Sequence, residues 1–158
     1  MALGWAQLTC TPDTEALEVL RSSWAWRIRQ PFTPVLFSVI GDAFIEPESG
    51  GIHWLNTGTG ELTQVAASWP EFQVLLGTES ADEWFMPSLV EKLRSAGKVC
   101  GLGRCYTYVT LPIFAEGKYT VENLNPVRAR EHFGLTGRIQ QEVFSLPEGS
   151  KVKLKWVE

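Results

Sequence analysis

A single compact α+β domain, with a mainly antiparallel sheet and helices packed around it, is the fold class this sequence predicts. Three observations carry it. Between Gly41 and Ala66, three short apolar runs, Ala43-Phe44-Ile45, Ile52-His53-Trp54-Leu55 and Leu62-Thr63-Gln64-Val65, are separated by turn clusters at residues 47–51 and 56–60. Runs of this length bounded by Gly, Pro, Asn and Ser read as strands joined by hairpins. Segments with helical spacing lie on both sides of this meander in the sequence and are expected to pack on its apolar face. Finally, 158 residues that are 44% hydrophobic and 20% charged suit one domain, 1–158, with a sizeable core.

The elements follow in order. Thr11-Pro12-Asp13 reads as a helix start: Thr11 can cap, Pro12 fits the first turn, and Asp13 with Glu15 complements the dipole. Leu17, Leu20, Trp24 and Ile28 then recur at helical spacing, which predicts a helix over 12–29, ended by Gln30-Pro31. The β-rich run 34–40 leads into a meander over 35–66. Ser68-Trp69-Pro70-Glu71 matches a capping box, and Ser80-Ala81-Asp82-Glu83 matches a second, so helices are expected within 68–96. Pro87 should break or restart the second of them, and Gly97 should end it. A strand-helix-strand unit is expected over 104–157. Its strands are Tyr106 to Leu111 and Tyr119 to Leu124, followed by a helix that starts at Asn125-Pro126 and is divided at Gly134 and Gly137. The alternation of Val152, Leu154 and Trp156 with Lys151, Lys153 and Lys155 predicts a final half-buried strand.

Charge is unevenly placed. Residues 41–91 carry nine acids and no Lys or Arg, whereas residues 92–158 carry eleven bases and six acids. An acidic half repels nucleic acid and attracts a basic partner. No apolar run approaches the length of a membrane span, and the first ten residues lack the basic and apolar regions of a signal peptide. Three cysteines, an odd number, suit a reducing cytosol better than a disulfide scaffold. A cytoplasmic location is therefore expected, with no membrane and no nucleic acid among the partners.

Motifs for chemistry are missing. Metal binding needs several converging His, Cys or carboxylate ligands. The chain has only His53 and His132, far apart, and one Cys100-x4-Cys105 pair. There is no G-x-S-x-G elbow, and neither Gly101-x-Gly103 nor Gly58-Thr59-Gly60 continues into a nucleotide-binding fingerprint. No catalytic residue, metal site or cofactor is therefore expected. The aromatic density leaves an alternative open, a small-molecule-binding protein or enzyme with a pocket lined by His53, Trp54, Tyr106 and Tyr108.

Several stretches together resemble a bacterial family. They are Gly41-Asp42-Ala43-Phe44 with Gly51-Ile52-His53-Trp54-Leu55-Asn56-Thr57, then Gly60-Glu61-Leu62 with Val65-Ala66, and Glu83-Trp84-Phe85 with Leu89-Val90 and Gly97. Further on stand Cys105-Tyr106 before Leu111-Pro112, Glu122-Asn123, Gly137-Arg138-Ile139 and Leu146-Pro147-Glu148-Gly149. The family is a domain of unknown function that forms the C-terminal part of an immunity protein guarding against a type VI secreted DNase toxin. The chain departs from it at residues 112–117 and at Gln140, where the family favours His. The resemblance implies a non-catalytic cytosolic protein that binds and neutralises a toxin, a nuclease of basic charge. On this reading Glu46, Glu48, Glu79, Asp82 and Glu83 are the partner-binding charges. Trp84 is an anchor if it is exposed.

Overall fold

The computed structural model describes residues 3–150. A four-residue helix α1 (Trp5–Leu8) precedes α2 (Thr14–Ser23). Four strands follow, β1 (Phe32–Phe37), β2 (Ala43–Pro47), β3 (Ile52–Leu55) and β4 (Leu62–Ala66). They pair antiparallel in the order β1-β2-β3-β4. Next come α3 (Trp69–Leu75), α4 (Ser80–Phe85) and α5 (Pro87–Ser95). A two-stranded ribbon of β5 (Arg104–Tyr108) and β6 (Leu124–Arg128) leads into α6 (Ala129–Phe144). The architecture is α+β, built around one antiparallel meander. The expected strand at 151–157 lies outside the described residues.

Strand alternation puts apolar side chains on both faces of the sheet. Ala43 and Ile45 of β2 join Leu20, Trp24 and Phe133 in one cluster, which α2 and α6 cover. Phe44, between them in β2, joins Phe72, Trp84, Phe85 and Val90 in the other, which α3, α4 and α5 cover. Phe44 is wholly buried, with ring centroids 5.0 Å from Phe72 and 5.4 Å from Trp84. The tryptophans serve largely as packing: Trp24 is fully buried and Trp84 is 5% exposed.

Local signals set several boundaries. Ser68 Oγ accepts from Glu71 N at 3.3 Å, and Glu71 Oε2 accepts from Ala67 N at 2.6 Å, so α3 opens on a near-capping box. Pro87 does restart the helix: α4 ends at Phe85, Met86 takes a left-handed φ of 48°, and α5 begins at Pro87. At two starts the cap moves. Asp13, not Thr11, caps α2, with Oδ1 accepting from Ala16 N at 2.8 Å, and that helix closes at Ser23. Ser80 is the first residue of α4 rather than its cap, and its N–H is met by Thr78 Oγ1 at 3.3 Å.

Two expectations fail for tertiary reasons. Asn125-Pro126 starts no helix; both residues lie in β6, opposite Thr107 and Tyr106. Pro126 is tolerated because its partner Tyr106 turns its own N–H the other way, donating to Val39 O at 2.7 Å. The pair is therefore a non-hydrogen-bonded one, where a missing N–H costs nothing. Nor do Gly134 and Gly137 divide α6, which runs unbroken through both. They let it approach α2. A Cβ on Gly137 would stand 2.6 Å from Ser23 O and 2.8 Å from Ser23 Cβ, whereas one on Gly134 would meet Val19 Cγ1 at an ordinary 3.4 Å. Replacing a helical glycine with alanine otherwise stabilises by about 1 kcal/mol. Gly134→Ala should therefore leave urea unfolding unchanged or raise its midpoint. Gly137→Ala should destabilise by roughly 2 kcal/mol, because the helices must separate. Equal effects at the two sites would refute the close-packing role of Gly137.

Candidate partner-binding surface and the buried polar centre

The most concentrated polar chemistry is inside the fold. A turn at residues 38–41 sets Asp42 at the entry to β2. The β3–β4 hairpin presents Thr57, its backbone shaped by Asn56, whose Oδ1 accepts from Gly58 N at 3.0 Å and Thr59 N at 3.2 Å. From α6, His132 reaches between them. Asp42 Oδ1 accepts from Thr57 N at 3.0 Å, and Asp42 Oδ2 accepts from Trp54 Nε1 at 3.1 Å. Thr57 Oγ1 lies 2.9 Å from both Gly41 O and His132 Nε2. His132 Nε2 is 3.0 Å from Gly41 O, and its Nδ1 is 2.7 Å from Thr107 Oγ1. Because Gly41 O can only accept, Nε2 carries the proton and Nδ1 accepts from the Thr107 hydroxyl. Gln140, two helical turns on, donates Nε2–H to Thr57 O at 3.1 Å and to Gly58 O at 2.9 Å. Gln140 thus has a structural use, since its amide holds two hairpin carbonyls.

Burial shifts both titrating groups against their charged forms. Desolvation raises the Asp42 carboxyl to about 6, although its hydrogen bonds from Thr57 and Trp54 pull the other way. Desolvation lowers His132 to about 4, opposed by its bond to Gly41. Asp42, Thr57 and His132 are 2%, 0% and 0% exposed, so no substrate reaches them. The centre instead fastens the sheet, the hairpin, β5 and α6 together. Sequence reading missed it, although α6 carries a signal: His132, Thr136 and Gln140 recur at four-residue steps, and all three are buried.

The four residues of the aromatic-pocket alternative do not converge. His53 and Trp54 are neighbours in β3 and point to opposite faces, opposite Ile45 and Phe44. Trp54 spends its N–H on Asp42, and Tyr106 and Tyr108 are 1% and 5% exposed. Both His132 nitrogens are engaged by Thr57, Gly41 and Thr107, so the ring activates no nearby thiol. Among the described residues, no group of three or more His, Cys, Asp or Glu is arranged to hold a metal. No described helix is long and apolar enough to cross a membrane.

The candidate binding charges divide into two places. Glu79, Asp82 and Glu83 are exposed at the start of α4 and along it. Glu46 is exposed on β2, and Glu48 is exposed in the turn after it. Asp42, counted with the acidic half in the sequence, leaves the surface for the polar centre. Trp84 does not meet the condition for an anchor. It faces the core, stacked on Phe72 at 5.5 Å, because the apolar stripe of α4 includes it. Trp5 is an exposed tryptophan of that region, 48% accessible and edge-on to Phe85 at 5.2 Å. It shares a surface groove of about 720 Å³ with Glu79, Asp82 and Leu76. Asp82 also borders a second groove, of about 690 Å³, with Met86, Leu89 and Tyr119.

A closed polar core and an acidic outer helix describe a domain whose accessible chemistry lies on its surface. Comparison with known families supplies the relation. Residues 70–140, from α3 into α6, match the family described as T6SS immunity protein Tdi1, C-terminal, so over that span the chain is related to an immunity domain of the type VI secretion system. No curated protein matches the chain.

Proposed function

We propose that this chain is a single immunity-like domain that binds a secreted protein toxin and neutralises it without catalysis. The toxin is a basic nuclease, met in the cytoplasm, and the contact is between proteins, with no nucleic acid, membrane or cofactor. The relation to an immunity family carries the reading. It is supported by the burial of the Asp42–Thr57–His132 centre and by Glu79 and Asp82, which share a groove with Trp5, with Glu83 exposed next to them on α4. An acidic surface with an aromatic anchor can imitate phosphate charge and steer a basic partner. Glu79, Asp82 and Glu83 form the primary contact, and Glu46 and Glu48 extend the acidic field.

The test begins with a pull-down from host lysate at low and high salt. Any retained protein is then assayed for nuclease activity with and without added chain. Expected is a basic nuclease that is retained better at low salt and inhibited by the chain. Reversing Glu79, Asp82 and Glu83 to Lys together should weaken that complex by about 10-fold or more at low salt, and Trp5→Ala by a similar factor. Thermal unfolding should hardly change. Unaltered affinity at low salt would exclude the α4 acids from the contact.

A further inference from the structure

Three cysteines from distant parts of the chain meet at one place. Cys10 follows α1, where Thr9 bridges to Ser38 and Cys10 N donates to Phe37 O at 3.1 Å. Cys105 is in β5, and the next residue, Tyr106, donates its N–H to Val39 O at 2.7 Å. Residues 37–39 are thus flanked by both segments, and Cys10 packs against the buried cluster that contains Cys105. Cys10 is partly exposed and lines a groove of about 350 Å³ with Cys100, Arg94 and Arg104, whereas Cys105 is buried. All three are free thiols.

Their surroundings make them unequal. The interaction with Cys105 lowers the Cys10 thiol, outweighing its burial. The same interaction, together with complete burial, pushes Cys105 well above its usual value. Burial pushes Cys100 up to about 12, so it stays a thiol. Nucleophilic attack needs access to the reagent, and of the pair Cys10 has it whereas Cys105 is buried. A buried thiol in the cluster it packs against is placed to resolve the product.

We propose that Cys10 and Cys105 are a peroxide-oxidisable dithiol, with Cys10 the attacking and Cys105 the resolving cysteine. The Cys10 thiolate attacks one oxygen of hydrogen peroxide and the O–O bond breaks. This leaves a sulfenic acid, and the departing hydroxide takes up a proton to become water. Cys105 sulfur then attacks the Cys10 sulfur. The S–O bond breaks, and the hydroxide leaves with the Cys105 proton as a second water. Two thiols lose two electrons, which reduce the peroxide. The disulfide fastens the segment carrying α1 to β5, and a thiol reductant reverses it.

The full chain, reduced and then exposed to a small excess of peroxide, tests this. Expected is a mass loss of about 2 Da and a non-reducing tryptic map in which the Cys10 peptide is joined to the Cys105 peptide. Trypsin cuts after Arg104 and so separates Cys100 from Cys105. Iodoacetamide should label Cys10 about 10-fold faster than Cys100 at neutral pH. Cys105→Ser, or Cys105→Ala if a hydroxyl disturbs the core, should stop Cys10 at a dimedone-trappable sulfenic acid. Cys100→Ser should behave as wild type. A Cys10–Cys100 linkage, equal labelling of Cys10 and Cys100, or no mass loss would each overturn the proposal.

Discussion

Gly41→Ala should cost about 4 kcal/mol in urea unfolding, a large share of the roughly 5–15 kcal/mol that holds a domain folded. Two effects add. Gly41 has a φ of 103°, where any Cβ is strained, at roughly 1 kcal/mol. The Cβ would also stand 2.2 Å from His132 Nε2. That ring cannot move aside, because Thr107 holds one nitrogen and Thr57 and Gly41 O hold the other, in a fully buried setting. Overpacking without room to relax adds a few kcal/mol. Gly50 is the control: its φ is 93°, but a Cβ there meets nothing within 4 Å. Gly50→Ala should therefore show only the backbone cost. If the two variants are equally destabilised, the contact with His132 is not what excludes a side chain from position 41. A double-mutant cycle adds a second check, since Gly41→Ala should cost markedly less in a His132→Ala background.

Opposed pH dependences are the second large effect. Asp42 rises from 3.8 to about 6 on folding. Its folded form holds the proton more tightly, so the stability it contributes is full below about pH 4 and is lost as pH rises to about 6. His132 falls from 6.5 to about 4. Its folded form holds the proton less tightly, so its contribution is full above pH 6.5 and is lost as pH falls toward 4. Each change corresponds to roughly 3 kcal/mol, and the windows overlap with opposite sign. In the parent protein they nearly cancel. Substitution of either one unmasks the other. Relative to the parent, His132→Gln should lose stability as pH rises from 4 to 6, and Asp42→Asn should gain it from 4 to 6.5. Urea midpoints measured across pH 4 to 7 would show the two curves diverging from the parent in opposite directions. Three parallel curves would mean that neither group titrates inside the fold as its burial requires. Asp42→Asn also carries a constant penalty of about 1–3 kcal/mol wherever its amide N–H₂ meets the Trp54 or Thr57 donors.

Sequence reading succeeded where a local rule met no strong competitor. The three strands of the meander lie between the turn clusters because Gly and Asn there permit the reversals and the flanking runs can bury apolar side chains. Ser68 caps α3, and Pro87 restarts a helix, through contacts within four residues. It failed where two local rules conflicted or a distant partner decided. Asn125-Pro126 has the composition of a helix start, yet pairing with β5 outweighs that preference. Gly137 looks like a helix breaker, yet the nearness of Ser23 makes it a helix-packing residue.

Much the same division holds for the candidate surface. The acidic character of α4 was legible, because three acids within five positions of a short helix cannot all turn inward. That Trp84 turns inward and Trp5 stays outside was not, since that depends on how Trp5 of α1 meets Phe85 and how Phe72 of α3 stacks on Trp84. The α+β class, the meander and the acidic stretch were thus determined by the sequence itself, through turn chemistry, side-chain periodicity and charge. The joining of Asp42, Thr57 and His132, the contact of Cys10 with Cys105 and the exchange of Trp84 for Trp5 at the surface were decided only in the tertiary structure. Each joins residues tens of positions apart, whose proximity the folded backbone alone creates.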